Sequence, residues 1–268
     1  MALRPPFPRG RIGRRLQTVT LELWLPIALL VAWWWRSEAD KSLFFPPLPQ
    51  ILSAFRRNWL FRDVPTELVP TLERLAMGLA LAVVAGIALG LALGLLRPLY
   101  ESLTPILEFC RAVPGVALLP LAILLLGIGT SMKVIVIAYG AVWPVLLNTV
   151  DGVRGMDPLV RDVARSYQLT PWQRIWHVVL PAASPQIVAG IRTALSIAIT
   201  VIVFSEMIGS TSGVGYTILQ DEQTFAVANM WSGIILLGIL GYALSLIFRG
   251  VEARTLRWHR GMRAARRG

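Results

Sequence analysis

The chain has 268 residues, of which 55% are hydrophobic and only 15% are charged, whereas soluble domains carry roughly a quarter of charged residues. Its apolar runs of about twenty residues exceed what a water-soluble core of this size can bury, so the composition predicts a polytopic helical membrane protein. The single cysteine permits no internal disulfide, and His177 and His259 lie too far apart in sequence to form a metal site unaided.

The net charge of +11 is concentrated at the two ends of the chain. Residues 1–15 contain five arginines and no acid, and residues 249–268 contain seven arginines and one acid. The positive-inside rule predicts that both tails lie in the cytoplasm, beside anionic headgroups. RNA binding is the less favoured alternative, and we expect no nucleic-acid partner. Two cytoplasmic termini require an even number of membrane crossings.

Six apolar segments supply that even number. The first ends in Trp33, Trp34 and Trp35, which are typical of the outer membrane interface and leave no small-residue cleavage site. A short amphipathic helix over residues 48–60 is expected on the outer surface. The six predicted spans cover residues 23–35, 71–96, 105–129, 132–147, 187–208 and 231–248.

The second span repeats a small residue at every fourth position. Such a stripe lets two helix backbones approach closely, which predicts that this helix packs against protein and not only lipid. The stripe consists of Gly78, Ala82, Gly86, Gly90 and Gly94.

The third span is interrupted by Val113-Pro114-Gly115. Proline removes a backbone donor and clashes with the preceding turn, so we expect a kink or a break. Breaks at membrane depth are tolerated where they face protein or a water-filled cavity. A substrate path and a structural kink explain this break equally well.

A loop over residues 151–186 contains three apparent helix starts, at Asp157-Pro158, Thr170-Pro171 and Ser184-Pro185. In each, a side-chain oxygen precedes a proline at the first helical position. Thr170 and Gln173 fit a capping box. The pattern predicts two short amphipathic helices meeting at a sharp turn. From the residues alone, this unit is either a surface helix pair or a docking element for a cytoplasmic partner; a DNA-reading helix-turn-helix is disfavoured because both ends are tethered by spans.

This loop resembles the EAA loop of type I ABC importer permeases. The likeness is carried by the segments RDVARS (161–166), LTPW (169–172) and VVLPAA (178–183), and it extends over roughly residues 65–250, including LEFCRAVPGVALLPLAILLLGIG (107–129) and FSEMIGSTSGVGYTI (204–218). The match is to the nitrate/sulfonate/taurine/bicarbonate subfamily. Three positions depart from the family pattern, with Asp162 for glutamate, Val163 for alanine and Gln168 for glycine.

The resemblance implies a permease fold with six transmembrane helices in a bacterial inner membrane. It divides the chain into a basic tail (1–22), a first span with an outer segment (23–64), a permease core with five spans (65–250) and a second basic tail (251–268). It also implies a homodimeric permease, two ATPase subunits that bind the ATP, and a periplasmic or lipid-anchored solute-binding protein. The chain itself is then neither an enzyme nor a cofactor binder. The residues expected to dock the ATPase are Asp162, Ala164, Ser166, Leu169 and Thr170.

Glu206 ends a stretch that carries no other charge after Arg192. An acid at membrane depth costs a few kcal/mol, so it is expected to be functional or paired unless it is wet at the outer boundary. Arg192 is expected to snorkel to the interface or to offer positive charge to an anion. We expect Pro114, Glu206, Gly213 and Gly215 to belong to the translocation path or its gate.

Two rival classes make different predictions. A secondary transporter would show internally repeated halves and intramembrane coupling residues, and a membrane-embedded enzyme would show clustered catalytic groups within the spans. Neither pattern is visible in the sequence.

Overall fold

A computed structural model describes residues 24–25, 27–29, 31–37 and 44–257, apart from the side chain of Phe61. All regular structure in these ranges is helical, which confirms the predicted all-α class. The residues described between 24 and 37 are helical as well. In chain order, the helices are α1 (Leu48–Arg57), α2 (Val64–Leu95), α3 (Arg97–Ala112), α4 (Gly115–Leu126), α5 (Thr130–Arg154), α6 (Pro158–Ser166), α7 (Pro171–Ile208), α8 (Val214–Gln223) and α9 (Val227–Thr255).

Within these ranges, four helices are long and apolar enough to cross a membrane, namely α2, α5, α7 and α9. The bent pair α3 and α4 makes a fifth candidate. Part of the predicted first span lies outside the described residues. The whole of the tail 1–22 and residues 258–268 of the second tail also lie outside them. Trp33 packs edge-on against Trp231 at the start of α9, with ring centroids 4.6 Å apart.

The small-residue stripe of α2 packs against α5. A Cβ atom added at Gly78, Gly86 or Gly90 would lie 2.5–2.7 Å from the Cβ atom of a residue on α5, closer than any real contact allows. The helices therefore meet backbone to backbone along this face, as the four-residue spacing predicts. Helix α7 also packs against α5, where a Cβ atom added at Gly190 would lie 2.7 Å from the carbonyl oxygen of Pro144.

The third span is broken as predicted. Helices α3 and α4 meet at an angle of 80° around Val113-Pro114. The hydroxyl of Tyr139 donates a hydrogen bond to the carbonyl oxygen of Cys110 at 2.6 Å. The same carbonyl accepts from the N–H of Val113 at 3.2 Å, so the Tyr139 hydroxyl adds a second donor at the end of α3 and packs the break against protein.

Two of the three predicted helix starts in the loop are confirmed, and the third is wrong. Asp157 accepts from the N–H of Leu159 at 2.9 Å, and Thr170 forms a reciprocal capping box with Gln173. Ser184-Pro185 lies inside α7, where the Ser184 hydroxyl donates to the carbonyl of Pro181 at 2.9 Å. Because Pro185 has no N–H for that carbonyl, the hydroxyl replaces the missing bond and the helix continues.

The helices on either side of the predicted loop (151–186) extend into it. Helix α5 extends to Arg154 and α7 begins at Pro171, not near Ile187, so the segment between the two long helices covers residues 155–170. Helix α7 is continuous over 38 residues. A π-helical turn at Ile175–Val179 immediately precedes the prolines, as is usual where the helical bonding pattern must shift.

Candidate functional site

A buried ion pair joins α2 to α7. The carboxylate of Glu206 is 0% exposed, and its Oε1 lies 2.8 Å from Nη1 of Arg74. The Thr71 hydroxyl lies 2.9 Å from both carboxylate oxygens, and the N–H of Gly215 donates to Oε2 at 3.1 Å. Glu206 is therefore paired and buried, and the alternative of a wet acid at the membrane boundary is wrong.

The segment that follows α7 is tied to α2 by the same residues. Arg74 donates from Nη1 to the carbonyl of Ser212 and from Nη2 to its hydroxyl, both at 2.9 Å. The N–H of Gly213 donates to Oε2 of Glu67 at 2.6 Å, and the N–H of Val214 donates to the Thr71 hydroxyl at 3.0 Å. One polar network thus fixes the end of α7, the following turn and the start of α8.

Two glycines make this close approach possible. Gly213 has φ +122°, and an added Cβ atom would lie 2.2 Å from Cδ of Glu206. An added Cβ atom at Gly215 would lie 2.5 Å from the carbonyl oxygen of Val203. Three of the four residues predicted for a path or gate are therefore brought together. Pro114, the fourth, lies apart at the bend between α3 and α4.

Arg74 was not among the predicted site residues, although the sequence carries a signal for it. Arg74 lies four residues before Gly78, on the same face as the small-residue stripe that packs against protein. A charge on a packed face must be paired, since an isolated buried ion is costly. Lys133 was missed as well; it is 2% exposed, and its ammonium lies 3.3 Å from the carbonyl oxygen of Gly129.

The interhelical segment 155–170 forms an exposed knob built on α6. Its sharp turn is made by Gln168, whose φ of +50° is the left-handed conformation that a glycine adopts readily. Of the predicted docking residues, Asp162, Ser166 and Thr170 are exposed, Leu169 is half-buried, and Ala164 faces inward with 5% exposure. Arg165 lies 3.7 Å from Asp162 in a solvent-exposed pair, which contributes little stability.

Large aromatic side chains lie exposed on this knob and next to it. Tyr167 is 77% exposed and Trp172 is 68% exposed. The ring of Trp172 packs edge-on against Trp176 at 5.4 Å. Large aromatic residues that remain exposed together are typical of an interaction surface.

Arg192 forms an ion pair with Glu252 of α9. This contact ties α7 to the last helix. The positive charge of Arg192 is therefore paired within the protein. In the described ranges, no three histidine, cysteine or acidic residues cluster as metal ligands would.

Long apolar helices, a span broken at proline and a buried ion pair between two spans define a multi-pass helical membrane protein. Residues 82–257 match the family described as the binding-protein-dependent transport system inner membrane component. The chain belongs to this family, as a permease subunit of an ABC importer.

Several relatives match this chain over most of its length. The putative aliphatic sulfonates transport permease protein SsuC of Bacillus subtilis is 32% identical over 93% of this chain and 91% of its own length. The taurine transport system permease protein TauC of Escherichia coli is 30% identical over 90% of each chain. These relatives, together with the nitrate import permease protein NrtB of Synechocystis (29% identical over 84% of this chain and 85% of its own), confirm the nitrate/sulfonate/taurine/bicarbonate group.

The fold is also that of a solved transporter. A chain of the MetNI methionine ABC transporter, in inward-facing conformations, aligns with a TM-score of 0.59 over 73% of this chain and 95% of its own length. At 22% identity this likeness concerns the fold. It supports the predicted type I permease fold.

Proposed function

We propose that this chain forms the translocation path of an ATP-driven importer for a small anionic solute. The observation that carries the proposal is the single helix α7, which begins beside the exposed knob at Thr170 and ends beside the buried carboxylate of Glu206. At 1.5 Å per residue, its 38 residues extend over about 57 Å. A force applied to the knob is therefore transmitted by one continuous element to the Arg74–Glu206 pair.

In this proposal the knob docks an ATPase subunit that supplies all ATP chemistry. Asp162, Ser166, Leu169 and Thr170 offer the surface, and the inward-facing Ala164 supports it from below. The exposed Trp172 and Tyr167 extend the same surface with apolar area. ATP-driven closure can reorient the permease because the two conformations would bind the ATPase pair differently.

At the other end of α7, the proposed gate is the network around Glu206. Gly213 and Gly215 hold the turn after α7 against the carboxylate, and Arg74 binds that turn and the carboxylate together. A small displacement of α7 would separate charges that are otherwise fully paired. In this proposal the paired arrangement is the closed state of the gate, and separation of the charges is its open state. Pro114, at the bend between α3 and α4, is proposed to line the path.

The solute class and the partners rest on the relatives. Their names include sulfonate, taurine and nitrate transport, so a small anion is proposed, delivered by a solute-binding protein at the outer face. Two permease chains and two ATPase subunits form the proposed core, with both termini in the cytoplasm.

The test is reconstitution of the permease with its ATPase and binding protein in lipid nanodiscs, followed by a screen of anions for stimulated ATP hydrolysis. Asp162→Lys is expected to reduce stimulated hydrolysis and uptake at least tenfold. Glu222→Lys, a charge reversal at an exposed position of α8, serves as the matched control and should behave as wild type. Full-rate transport by the permease alone, without an ATPase, would refute the proposal.

A further inference from the structure

A positively charged cavity lies beside the knob, at the same end of the bundle. Its volume is about 420 Å³, and it is an open cavity lined by the end of α2, the start of α3, the end of α5, and parts of α6 and α7. Its lining includes one acid, Glu101, and four arginines, which are Arg97, Arg154, Arg161 and Arg174.

Three of the arginines make contacts that use only some of their donors. Arg97 pairs with Glu101 at 2.7 Å. Arg154 lies over the ring of Tyr100, 3.7 Å from its centroid, and donates to the carbonyl of Leu93 at 3.3 Å. Arg161 donates from Nη2 to two carbonyls at the end of α5, at 2.9 and 3.0 Å. The guanidinium groups of Arg154 and Arg161 are therefore oriented by the fold before any ligand arrives, whereas Arg97 lies in a solvent-exposed pair.

The fourth arginine has an unsatisfied donor. The Nε–H of Arg174 is buried and reaches no acceptor anywhere in the described part of the chain. Buried donors are almost always paired, and an unpaired donor of a cation is especially costly. One acid against four arginines leaves the lining with an excess of three positive charges. Both observations indicate an anionic ligand with several acceptor oxygens.

We propose that this cavity binds a phosphate group, supplied either by the headgroup of an anionic lipid or by free phosphate. Planar guanidinium groups match phosphate oxygens with two parallel hydrogen bonds, and the cavity is large enough for a tetrahedral anion with its substituents. Leu96 and Leu99 next to it are exposed, so acyl chains would find apolar surface beside the charged cavity. Basic pockets at helix ends bind lipid headgroups in this way.

This phosphate site goes beyond the proposed transport function. If the knob docks a cytoplasmic ATPase, as proposed, the cavity beside it lies at the cytoplasmic leaflet, and only this placement rests on the proposed function. Arg161 belongs to α6 and Arg174 to the first turns of α7, so a bound phosphate would join both sides of the knob to α3. Occupancy would therefore stiffen the knob with respect to the bundle.

The experiment uses the full-length chain, purified and stripped of lipid. Native mass spectrometry measures binding of phosphatidylglycerol against phosphatidylcholine, and titration calorimetry measures binding of inorganic phosphate. Wild type is expected to bind phosphatidylglycerol or inorganic phosphate, and Arg174→Gln is expected to weaken that binding about tenfold, since one charged hydrogen bond is lost. Arg165→Gln, on the same knob but outside the cavity, should bind as wild type.

The two sources are separated by the two measurements. Preference for phosphatidylglycerol with no response to inorganic phosphate assigns the site to lipid, and the reverse assigns it to free phosphate. Arg97→Gln, an exposed position whose replacement leaves the core intact, provides the second variant if Arg174→Gln does not fold. Binding of neither probe, or equal binding by wild type and the cavity variants, would overturn the proposal. If the transporter is active although the cavity binds neither probe, only the phosphate site is wrong and the proposed transport function stands.

Discussion

The buried pair between Arg74 and Glu206 should dominate the stability of the gate region. Replacing Arg74 by methionine retains most of the side-chain volume but leaves the carboxylate without its cation. It also removes two hydrogen bonds to Ser212. Because Glu206 is 0% exposed, water cannot replace the lost partner, and we expect a loss of about 3–5 kcal/mol in the free energy of unfolding.

The measurement is an unfolding titration with sodium dodecyl sulfate in mixed micelles, followed by far-ultraviolet circular dichroism. Glu206→Gln is measured beside it, together with the double variant Arg74→Met/Glu206→Gln. Since each single change removes the same interaction, the double variant should lose less than the sum, with a coupling energy of about 1–3 kcal/mol.

Arg249→Met is the matched control. Arg249 lies exposed on α9, and its contacts are a 3.4 Å hydrogen bond to Ser245 and a distant ring of Tyr242. Its replacement should change the free energy of unfolding by no more than about 0.5 kcal/mol. The reasoning is refuted if Arg74→Met is as stable as Arg249→Met, or if the two single effects add within about 0.5 kcal/mol.

Three further predictions concern the turns and α8. Gln168→Gly should raise the free energy of unfolding by about 1 kcal/mol in the same titration, because glycine adopts a positive φ without the steric cost; unchanged or lower stability would contradict this. Gly213→Ala should abolish uptake and lower the melting temperature, since its methyl group collides with Glu206, whereas Gly238→Ala, with open space around it, should behave as wild type. Burial raises the pKa of Asp221, in opposition to a hydrogen bond from Asn229, so the folded state favours the protonated acid and loses stability as the pH rises through that raised pKa. Asp221→Asn should therefore melt higher than wild type at pH 7, and the difference should vanish as the pH falls towards about 4; a difference that does not change with pH would argue against it.

Short-range patterns in the sequence were sufficient to predict several features of the fold. Composition and apolar length predicted an all-helical membrane protein, because lipid leaves the backbone no other way to satisfy its hydrogen bonds in one segment. The stripe beginning at Gly78 predicted close helix packing, and Pro114 predicted the broken span. The caps at Asp157 and Thr170 are local as well, since each involves residues two or three positions apart.

Only the tertiary structure decided where the charges meet. Glu206 was recognisable as an acid in need of a partner, but Arg74 lies 132 positions away, and no local rule connects two such residues. A third helix start was wrongly predicted at Ser184-Pro185 because a serine before a proline resembles a helix cap, whereas in the folded helix the Ser184 hydroxyl replaces a missing backbone bond. The four arginines of the cavity come from four separate helices, and their joint charge exists only once those helices pack side by side.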